Sequence, residues 1–260
     1  MVQTNISNEL IMQTYNALIT AIDTVKQRLD ALRPIQDSSL LHALAIEYTY
    51  ESNRIEGNTL TLRETSIIID KGLTVGGKSM REHLEAVNHY EAVLFIRDLV
   101  QKQTPVTEYM VKQLHALILR GIDRENAGCY RSLPVMISGS RHLPPQPWQV
   151  PILMQDCCRW YDENKSLMHP VTLAAEMHER LVTIHPFIDG NGRTARLLMN
   201  LILLGNGYPL ANIGGSTESR LAYYQALEIC NLDGDKGEFC MLIATEVLKS
   251  AERLLTVLGE

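Results

Sequence analysis

A stretch of twelve residues, HPFIDGNGRTAR from His185 to Arg196, combines side chains suited to chemistry on a phosphate. Its Gly-Asn-Gly turn opens a helix, and such a turn leaves backbone N–H groups free to bind an anion at the positive end of the helix dipole. Arg193 and Arg196 are three residues apart, so both project from one face. His185 can exchange a proton near neutral pH, and the Asp189 carboxylate suits Mg²⁺. Together they indicate phosphoryl chemistry on a nucleotide.

Two predicted helices position this stretch. The first runs from Thr172 to Ile184, with Pro170 favourable near its start. The second is the apolar run Leu197–Leu204, which Gly205 ends. The candidate residues therefore lie in a tight connection between two helices.

The same twelve residues match, at every fixed position, the signature HPFx(D/E)GNGRxxR, so the chain resembles Fic-domain enzymes. The usual reaction of that family moves AMP from ATP to a Ser, Thr or Tyr hydroxyl of a protein. The resemblance implies that His185 is the general base on the target hydroxyl and that Asp189 binds Mg²⁺. The implied phosphate-binding residues are Gly190, Asn191 and Gly192 as the anion site, and Arg193 and Arg196 as the cations on the outer phosphates.

A second resemblance lies near the N-terminus. Ser52, Glu56 and Gly57 fit the pattern (S/T)xxxE(G/N), the inhibitory motif of Fic proteins that carry it N-terminal to the core. In that class the glutamate pairs with the second signature arginine, here Arg196, and keeps the γ-phosphate out of its productive position. An ordinary helix end is the alternative. A glutamate at a helix C-terminus is mildly unfavourable, which favours another role.

Helical periodicity breaks between residues 127 and 151. Residues 135–143, with prolines beyond them, predict a small β-hairpin. This hairpin resembles the Fic flap, which lies over the nucleotide and binds an extended target segment by strand addition on 135–143. A purely structural surface hairpin is the alternative. The expected nucleotide-binding residues here are Val135, Met136, Ile137 and Ser138.

A predicted helix from Glu218 to Cys230 carries an aromatic pair. Tyr223 and Tyr224, with Asn231 after them, resemble the adenine-side pocket of the family. Aromatic residues on a helix also commonly belong to the hydrophobic core. Thr194, inside the signature, completes the expected nucleotide-binding set.

Composition narrows the class of protein. The chain has 260 residues, of which 45% are hydrophobic, enough for a full core. Its formal charge of −6 does not indicate nucleic-acid binding. The first residues, MVQTN, lack a basic signal region, and the apolar runs fall short of the ~20 residues that a membrane span needs. We therefore expect a cytoplasmic enzyme that is not bound to a membrane.

The rest of the chain predicts helices, so the expected fold is all-α with the small flap hairpin. Apolar residues from Ile11 to Leu32 recur at spacings of four and three, a seam that could pack within the chain or against a partner. A homodimer therefore stays open. The predicted organisation is an N-terminal helical region carrying the inhibitory motif (1–105), a catalytic core (106–245) and the end of a C-terminal helix (246–260).

The expected function is transfer of AMP from ATP to a protein, or to the chain itself, with Mg²⁺ as cofactor and Glu56 as inhibitor. Removal of AMP from a modified protein and phosphocholine transfer are alternatives on the same scaffold. Gly192 disfavours the Doc-type kinase reaction, because that subgroup carries lysine there. A nucleotide-sensing scaffold with negligible turnover is an alternative of another class, which the intact His185 and Asp189 disfavour. The sequence does not identify the target protein.

Overall fold

The computed structural model describes residues 2–33 and 37–259, with side chains described from Met12 onward. These residues form α-helices joined by short loops and contain no β-strand. The helices are α1 (Val2–Ala31), α2 (Ser38–Ile55), α3 (Leu62–Lys71), α4 (Met80–Gln101), α5 (Glu108–Ile118), α6 (Val150–Asn164), α7 (Pro170–Ile184), α8 (Asn191–Gly205), α9 (Thr217–Asp233) and α10 (Gly237–Leu258), with a 3-10 turn at Pro147–Gln149. None of the helices so described is long and apolar enough to cross a bilayer.

Helix α8 lies at the centre of the molecule. Twelve of its fifteen residues are buried, because α2, α4, α5 and α7 all pack against it. A helix that is apolar on nearly all sides is stable only inside a core, and each fully buried leucine contributes roughly 1.5–3 kcal/mol. The first turn of α8, which carries the signature, is therefore held in a fixed orientation.

The first helix packs within the chain. Helix α1 lies against α10, and Ile22 and Leu29 are completely buried. This confirms intrachain packing of the apolar seam over its described part; the side chain of Ile11 lies outside the described residues. One hydrophobic cluster includes Ile22, Ile96 and Leu198. The N-terminal region and the signature helix thus share a core, and the proposed domain boundaries stay a prediction.

The predicted flap hairpin is not formed as a paired β-structure. Residues 132–146, called the flap segment below, contain no strand. Their one described backbone–backbone hydrogen bond is a turn, in which the Ser140 N–H donates to the Ile137 carbonyl at 3.1 Å. Pro134, Pro144 and Pro145 have no N–H to donate to a ladder. The turn chemistry was therefore predicted correctly and the cross-strand pairing was not.

Candidate active site

His185 ends helix α7 in the left-handed conformation, with φ 50° and ψ 59°, which is uncommon for a residue with a side chain. Its N–H donates to the Leu181 carbonyl at 2.9 Å. Its Nδ1 lies 3.3 Å from the Val182 carbonyl oxygen, and because that oxygen can only accept, Nδ1 carries the proton. Burial lowers the pKa of His185, and the nearby Arg131 lowers it further. The imidazole is thus neutral near pH 7, with a free lone pair on Nε2.

Arg131 ties the flap segment to the signature. Its Nε donates to the His185 carbonyl at 2.7 Å, and its backbone N–H donates to the Pro186 carbonyl at 2.9 Å. The same guanidinium donates to the carbonyls of Leu133 at 3.2 Å and Pro145 at 2.5 Å. One buried side chain therefore joins both ends of the flap segment to the residue that would act as base. This role of Arg131 was not predicted from the sequence, because the residues around Arg131 form no pattern that distinguishes it from other arginines.

Asp189 lies in the turn before α8. Its Oδ1 accepts from the Gly190 N–H at 2.6 Å, and its Oδ2 pairs with Arg81 at 2.5 Å. Burial raises the pKa of Asp189, but Arg193, the Gly190 N–H and Arg81 outweigh it, so the net pKa lies below the usual value. The carboxylate is therefore ionised at neutral pH.

The donor set around Asp189 fits Mg²⁺ held jointly with a nucleotide. Within residues 2–33 and 37–259 there is no cluster of three or more His, Cys, Asp or Glu side chains placed to hold a metal alone. Mg²⁺ commonly takes one or two carboxylates, with phosphates and waters completing its shell. An ionised, partly exposed carboxylate beside an anion site matches that chemistry.

Arg193 is buried in a network of charges. Its Nη1 lies 3.3 Å from Glu85 Oε1, and its Nη2 lies 3.4 Å from Asp189 Oδ1. Glu85 also accepts from Asn58 Nδ2 at 3.0 Å and pairs with Arg81 at 3.1 Å. Helix α4 therefore supplies both a negatively and a positively charged side chain to the signature. Neither Glu85 nor Arg81 was predicted from the sequence.

Arg196 brings together the two distant motifs. It is 1% exposed. Its Nε donates to Ser52 Oγ at 3.0 Å, and its Nη2 donates to the Ser52 carbonyl at 2.9 Å and to Glu56 Oε1 at 2.7 Å. Burial lowers the pKa of Arg196, but the Glu56 carboxylate together with the Tyr223 and Tyr48 hydroxyls outweighs burial, and the net pKa is raised. The predicted pairing of Glu56 with Arg196 is present, and the structure adds the bonds from Arg196 to Ser52.

The Glu56 carboxylate also lies against the anion site. A Cβ built on Gly192 would stand 2.5 Å from Glu56 Oε1. A side chain at this position would therefore have to displace the Glu56 carboxylate, because Glu56 Oε1 lies beside the first turn of α8. Helix N-termini attract negative charge. In this conformation a carboxylate of the chain itself lies at the N-terminus of α8, where the sequence predicts that an anion binds.

Two side chains of the signature are used to build the turn. Asn191 accepts from the Phe187 N–H and donates to the Phe187 carbonyl, both at 2.9 Å. Thr194 is buried and donates its hydroxyl to the Gly190 carbonyl at 2.8 Å. Only the backbone of Asn191 is therefore left for an anion, and a nucleotide-binding role of Thr194 stays a prediction.

His115, on α5, holds the turn before α8 in place, a role that was not predicted from the sequence. Its Nδ1 accepts from the Gly128 N–H at 2.9 Å, and its Nε2 donates to the Asp189 carbonyl at 2.8 Å. The ring stacks on Phe187 with centroids 3.6 Å apart. Burial lowers the pKa of His115 to about 4. The neutral ring thus fixes the backbone of the proposed metal ligand.

The predicted adenine-side residues have different surroundings. Tyr223 is buried, with its hydroxyl 3.0 Å from His178 Nε2 and 3.4 Å from Arg196 Nη1. Tyr224 is 44% exposed, and its hydroxyl donates to the Ile55 carbonyl at 3.1 Å. Asn231 Oδ1 accepts from the Thr183 hydroxyl. Tyr223 packs in the core beside Arg196, and the adenine role of the set stays a prediction.

The flap segment is anchored beside the site. His142 Nε2 lies 2.9 Å from the Thr183 carbonyl of α7, and Arg141 pairs with Glu228 of α9 at 3.0 Å. The predicted residues 135–138 make no described hydrogen bond to the signature, and Met136 is 85% exposed. Their nucleotide contacts stay a prediction.

Comparison with known proteins gives one consistent result. The sequence profile of the Fic/DOC family matches residues 105–203. The chain is 38% identical over 229 residues to "Protein adenylyltransferase Fic" of Drosophila ananassae, covering 86% of this chain and 45% of that protein. It thus spans about half the length of the curated relatives it matches.

Comparison with solved structures leads to the same family. A glutamate-to-glycine form of a fragment of Fic-1 from C. elegans superposes with a TM-score of 0.87 at 30% identity, covering 98% of this chain and 76% of that one. A Fic domain-containing signaling protein from Bacteroides thetaiotaomicron gives a TM-score of 0.81 at 29% identity, covering 89% of this chain and 94% of that one.

Proposed function

The chain belongs to the Fic/DOC family, and we propose that it transfers AMP from ATP to a hydroxyl group of a protein, itself included. The observation that carries the proposal is the position of His185. Its neutral imidazole, with Nε2 free, precedes by a few residues a helix N-terminus that binds anions and two buried arginines. The names of the curated relatives support the same activity.

The proposed reaction uses these groups in order. Nε2 of His185 takes the proton from the target hydroxyl while its oxygen attacks the α-phosphorus of ATP. The bond from that phosphorus to pyrophosphate breaks, and AMP remains on the target. The backbone N–H groups of Gly192 and its neighbours, with Arg193 and Arg196, hold the phosphates and the leaving pyrophosphate. General-base assistance of this kind typically contributes 10²–10⁴-fold to the rate.

Asp189 would hold Mg²⁺ together with the nucleotide. When bound, the metal supplies charge that offsets the charge of the phosphates. In the described conformation Arg81 occupies Oδ2 of Asp189. A metal held by this carboxylate would therefore compete with Arg81, and Arg193 lies 3.4 Å from Oδ1 in the described conformation.

Glu56 is the proposed inhibitor of this reaction. Its carboxylate bonds to Arg196, one of the cations assigned to the outer phosphates, and lies against Gly192, a residue of the proposed anion site. A phosphate and a carboxylate cannot occupy this space together, so ATP binds productively only when Glu56 has moved away. This placement supports autoinhibition through the predicted motif.

The flap segment is the proposed docking site for the target protein. From Val135 to Gly139 the described backbone N–H groups make no hydrogen bond within the chain. An extended target segment can supply acceptors for these donors by strand addition. The arrangement favours recognition through the backbone, with weak dependence on the side chains of the target. A cytoplasmic location and a homodimer are part of the same hypothesis.

One experiment tests the reaction class. The protein and its Glu56→Gly variant are incubated with cell lysate and either labelled ATP or CDP-choline, and the modified residues are identified by mass spectrometry. We expect the mass of AMP on Ser, Thr or Tyr, and no label with Glu56→Gly/His185→Ala. Consumption of CDP-choline with ATP ignored would replace AMP transfer by phosphocholine transfer. Loss of AMP from modified proteins without any transfer would make the protein a hydrolase, and no turnover would make it a scaffold.

A further inference from the structure

A cavity of about 580 Å³ lies between α2, α4, α10, the end of α8 and the loop after it, and no residue of the 185–196 signature lines it. Sites for small molecules typically have volumes of roughly 300–1,000 Å³. Its apolar walls are formed mainly by Leu41, Leu44, Val100, Leu204, Leu210 and Leu254. Such walls favour the apolar body of a ligand.

The charges on the cavity wall are unbalanced. Arg33, Arg97, Arg253 and Glu47 line it. Arg253 is paired with Glu47, and Arg33 with Asp30 outside the cavity at 3.4 Å. Arg97 is half-buried and bonds only to a backbone carbonyl of α2, at 3.0 Å. No carboxylate in the described parts of the chain lies within pairing distance of it. Burial lowers the pKa of Arg97, which reflects the cost of a charge without a counter-ion.

One further polar residue of the wall carries an atom without a partner in the described parts of the chain. Asn212 lines the cavity, and its Oδ1 is buried and makes no described hydrogen bond. Buried polar groups in folded proteins are nearly always satisfied, so Asn212 and the half-buried Arg97 distinguish this wall from a purely apolar packing surface.

We infer that this cavity binds an amphipathic carboxylic acid. Its carboxylate pairs with the Arg97 guanidinium, and its aliphatic or aromatic body packs against the leucines of the wall. One unpaired cation matches the single charge of a carboxylate better than the double charge of a phosphate monoester, and a charge-assisted pair in a half-buried setting is strong and directional. The inference concerns a binding site separate from the proposed active site.

The test uses three compounds that each contain a chain of ten carbon atoms but carry head groups of different charge. Decanoate, decan-1-ol and decyltrimethylammonium are titrated into the protein by calorimetry. We expect saturable binding of one decanoate per chain, about tenfold tighter than decan-1-ol, and weaker binding of the cation than of either. Arg97→Met is expected to remove the advantage of decanoate over decan-1-ol. Arg63→Met, which removes an exposed arginine on α3 far from the cavity wall, should leave it intact.

A cavity-filling variant keeps the test decisive if Arg97→Met does not fold. Leu44→Trp places bulk inside the cavity and is expected to weaken decanoate and decan-1-ol alike. Equal binding of all three compounds, binding without saturation, or an unchanged preference for decanoate in Arg97→Met overturns the inference. None of these readouts depends on nucleotide transfer, so failure here and failure of the proposed activity are separate results.

Discussion

Glu56 and Gly192 are in direct contact although they lie 136 positions apart in the chain. A Cβ on Gly192 would lie 2.5 Å from Glu56 Oε1. The same carboxylate bonds to Arg196 at 2.7 Å. The residue that ends α2 thereby places its carboxylate at the N-terminus of α8. This relationship links the inhibitory motif to the proposed phosphate site through contacts that substitutions can break one at a time.

Glu56→Gly is expected to accelerate AMP transfer, because it removes the carboxylate from Arg196 and Gly192. If the blocked conformation is populated 99:1 over the open one, removing a free-energy difference of about 2.7 kcal/mol makes the two populations equal. The rate should then rise up to ~50-fold, measured as incorporation of label from ATP into the chain itself. Adding Arg196→Ala should abolish the gain. A folded Glu56→Gly variant that binds ATP and transfers no faster than wild type would show that Glu56 is not the inhibitor.

His185→Ala is expected to reduce transfer by about 10²–10⁴-fold, the usual contribution of a general base. ATP affinity should stay close to that of the parent, because the imidazole is not assigned to the phosphates. Both quantities are measured in the Glu56→Gly background, by label incorporation and by calorimetry. An equal loss of affinity and rate would instead give His185 a binding role.

Gly192→Ala tests the contact itself. In the wild type the new methyl group collides with the Glu56 carboxylate, whereas in Glu56→Gly that oxygen is absent. Alanine is otherwise preferred over glycine in a helix. We expect Gly192→Ala to be less favourable in the wild type than in Glu56→Gly by at least about 1 kcal/mol of coupling energy, measured by urea unfolding. The same change in both backgrounds would mean that the two residues do not touch.

Arg131→Met is expected to loosen the flap segment, because the carbonyl groups of His185, Leu133 and Pro145 lose the donor that the arginine side chain supplies. Leaving a buried carbonyl unpaired costs about 1–3 kcal/mol, so the total destabilisation should reach at least that range. Limited proteolysis should cut within 132–146 faster than in the wild type. Arg141→Met, in the same segment but largely exposed, is the matched control. Equal cleavage of both variants would assign the effect to the segment rather than to Arg131.

The free energy of unfolding is expected to fall as the pH drops below 6.5. The folded pKa of His115 is lowered to about 4, below the value of ~6.5 in the unfolded chain. The unfolded chain therefore binds the extra proton first, so the contribution of His115 is complete above pH 6.5 and is lost as the pH falls toward 4. The slope from this residue is about 1.4 kcal/mol per pH unit. His89 and His178, also buried with lowered pKa values, act in the same direction. Urea unfolding of His115→Gln between pH 7 and 5 should show a shallower slope.

The sequence predicted the parts of the site that local rules determine. The helix before His185 and the Gly-Asn-Gly turn follow from short-range patterns and are present as predicted. The capping boxes with which Thr61 and Ser79 begin α3 and α4 depend on short-range patterns of the same kind. The pairing of Glu56 with Arg196 came only through the resemblance, because no local pattern links residues so far apart.

Other parts could not be predicted, because their partners are carbonyl groups or residues on another helix. Arg131 bonds to carbonyls of the flap segment and of His185, and His115 bonds to the backbone on both sides of its ring. Backbone carbonyls look the same at every position in a sequence. The flap was mispredicted for a related reason: its turn resembles a hairpin turn, but the two arms are joined by an arginine side chain rather than by a ladder.

The position of Glu56 has a consequence for how the anion site responds to concentration. Because the carboxylate belongs to the same chain as Gly192, we expect it to compete for the proposed phosphate site as a tethered ligand. Its effective concentration depends on the geometry of the last turn of α2 and does not change when the protein is diluted. A free anion must overcome that constant local concentration. Occupancy of the site by an external phosphate is therefore governed by the amount of that phosphate and by the stiffness of one helix end, and not by how much of the protein is present.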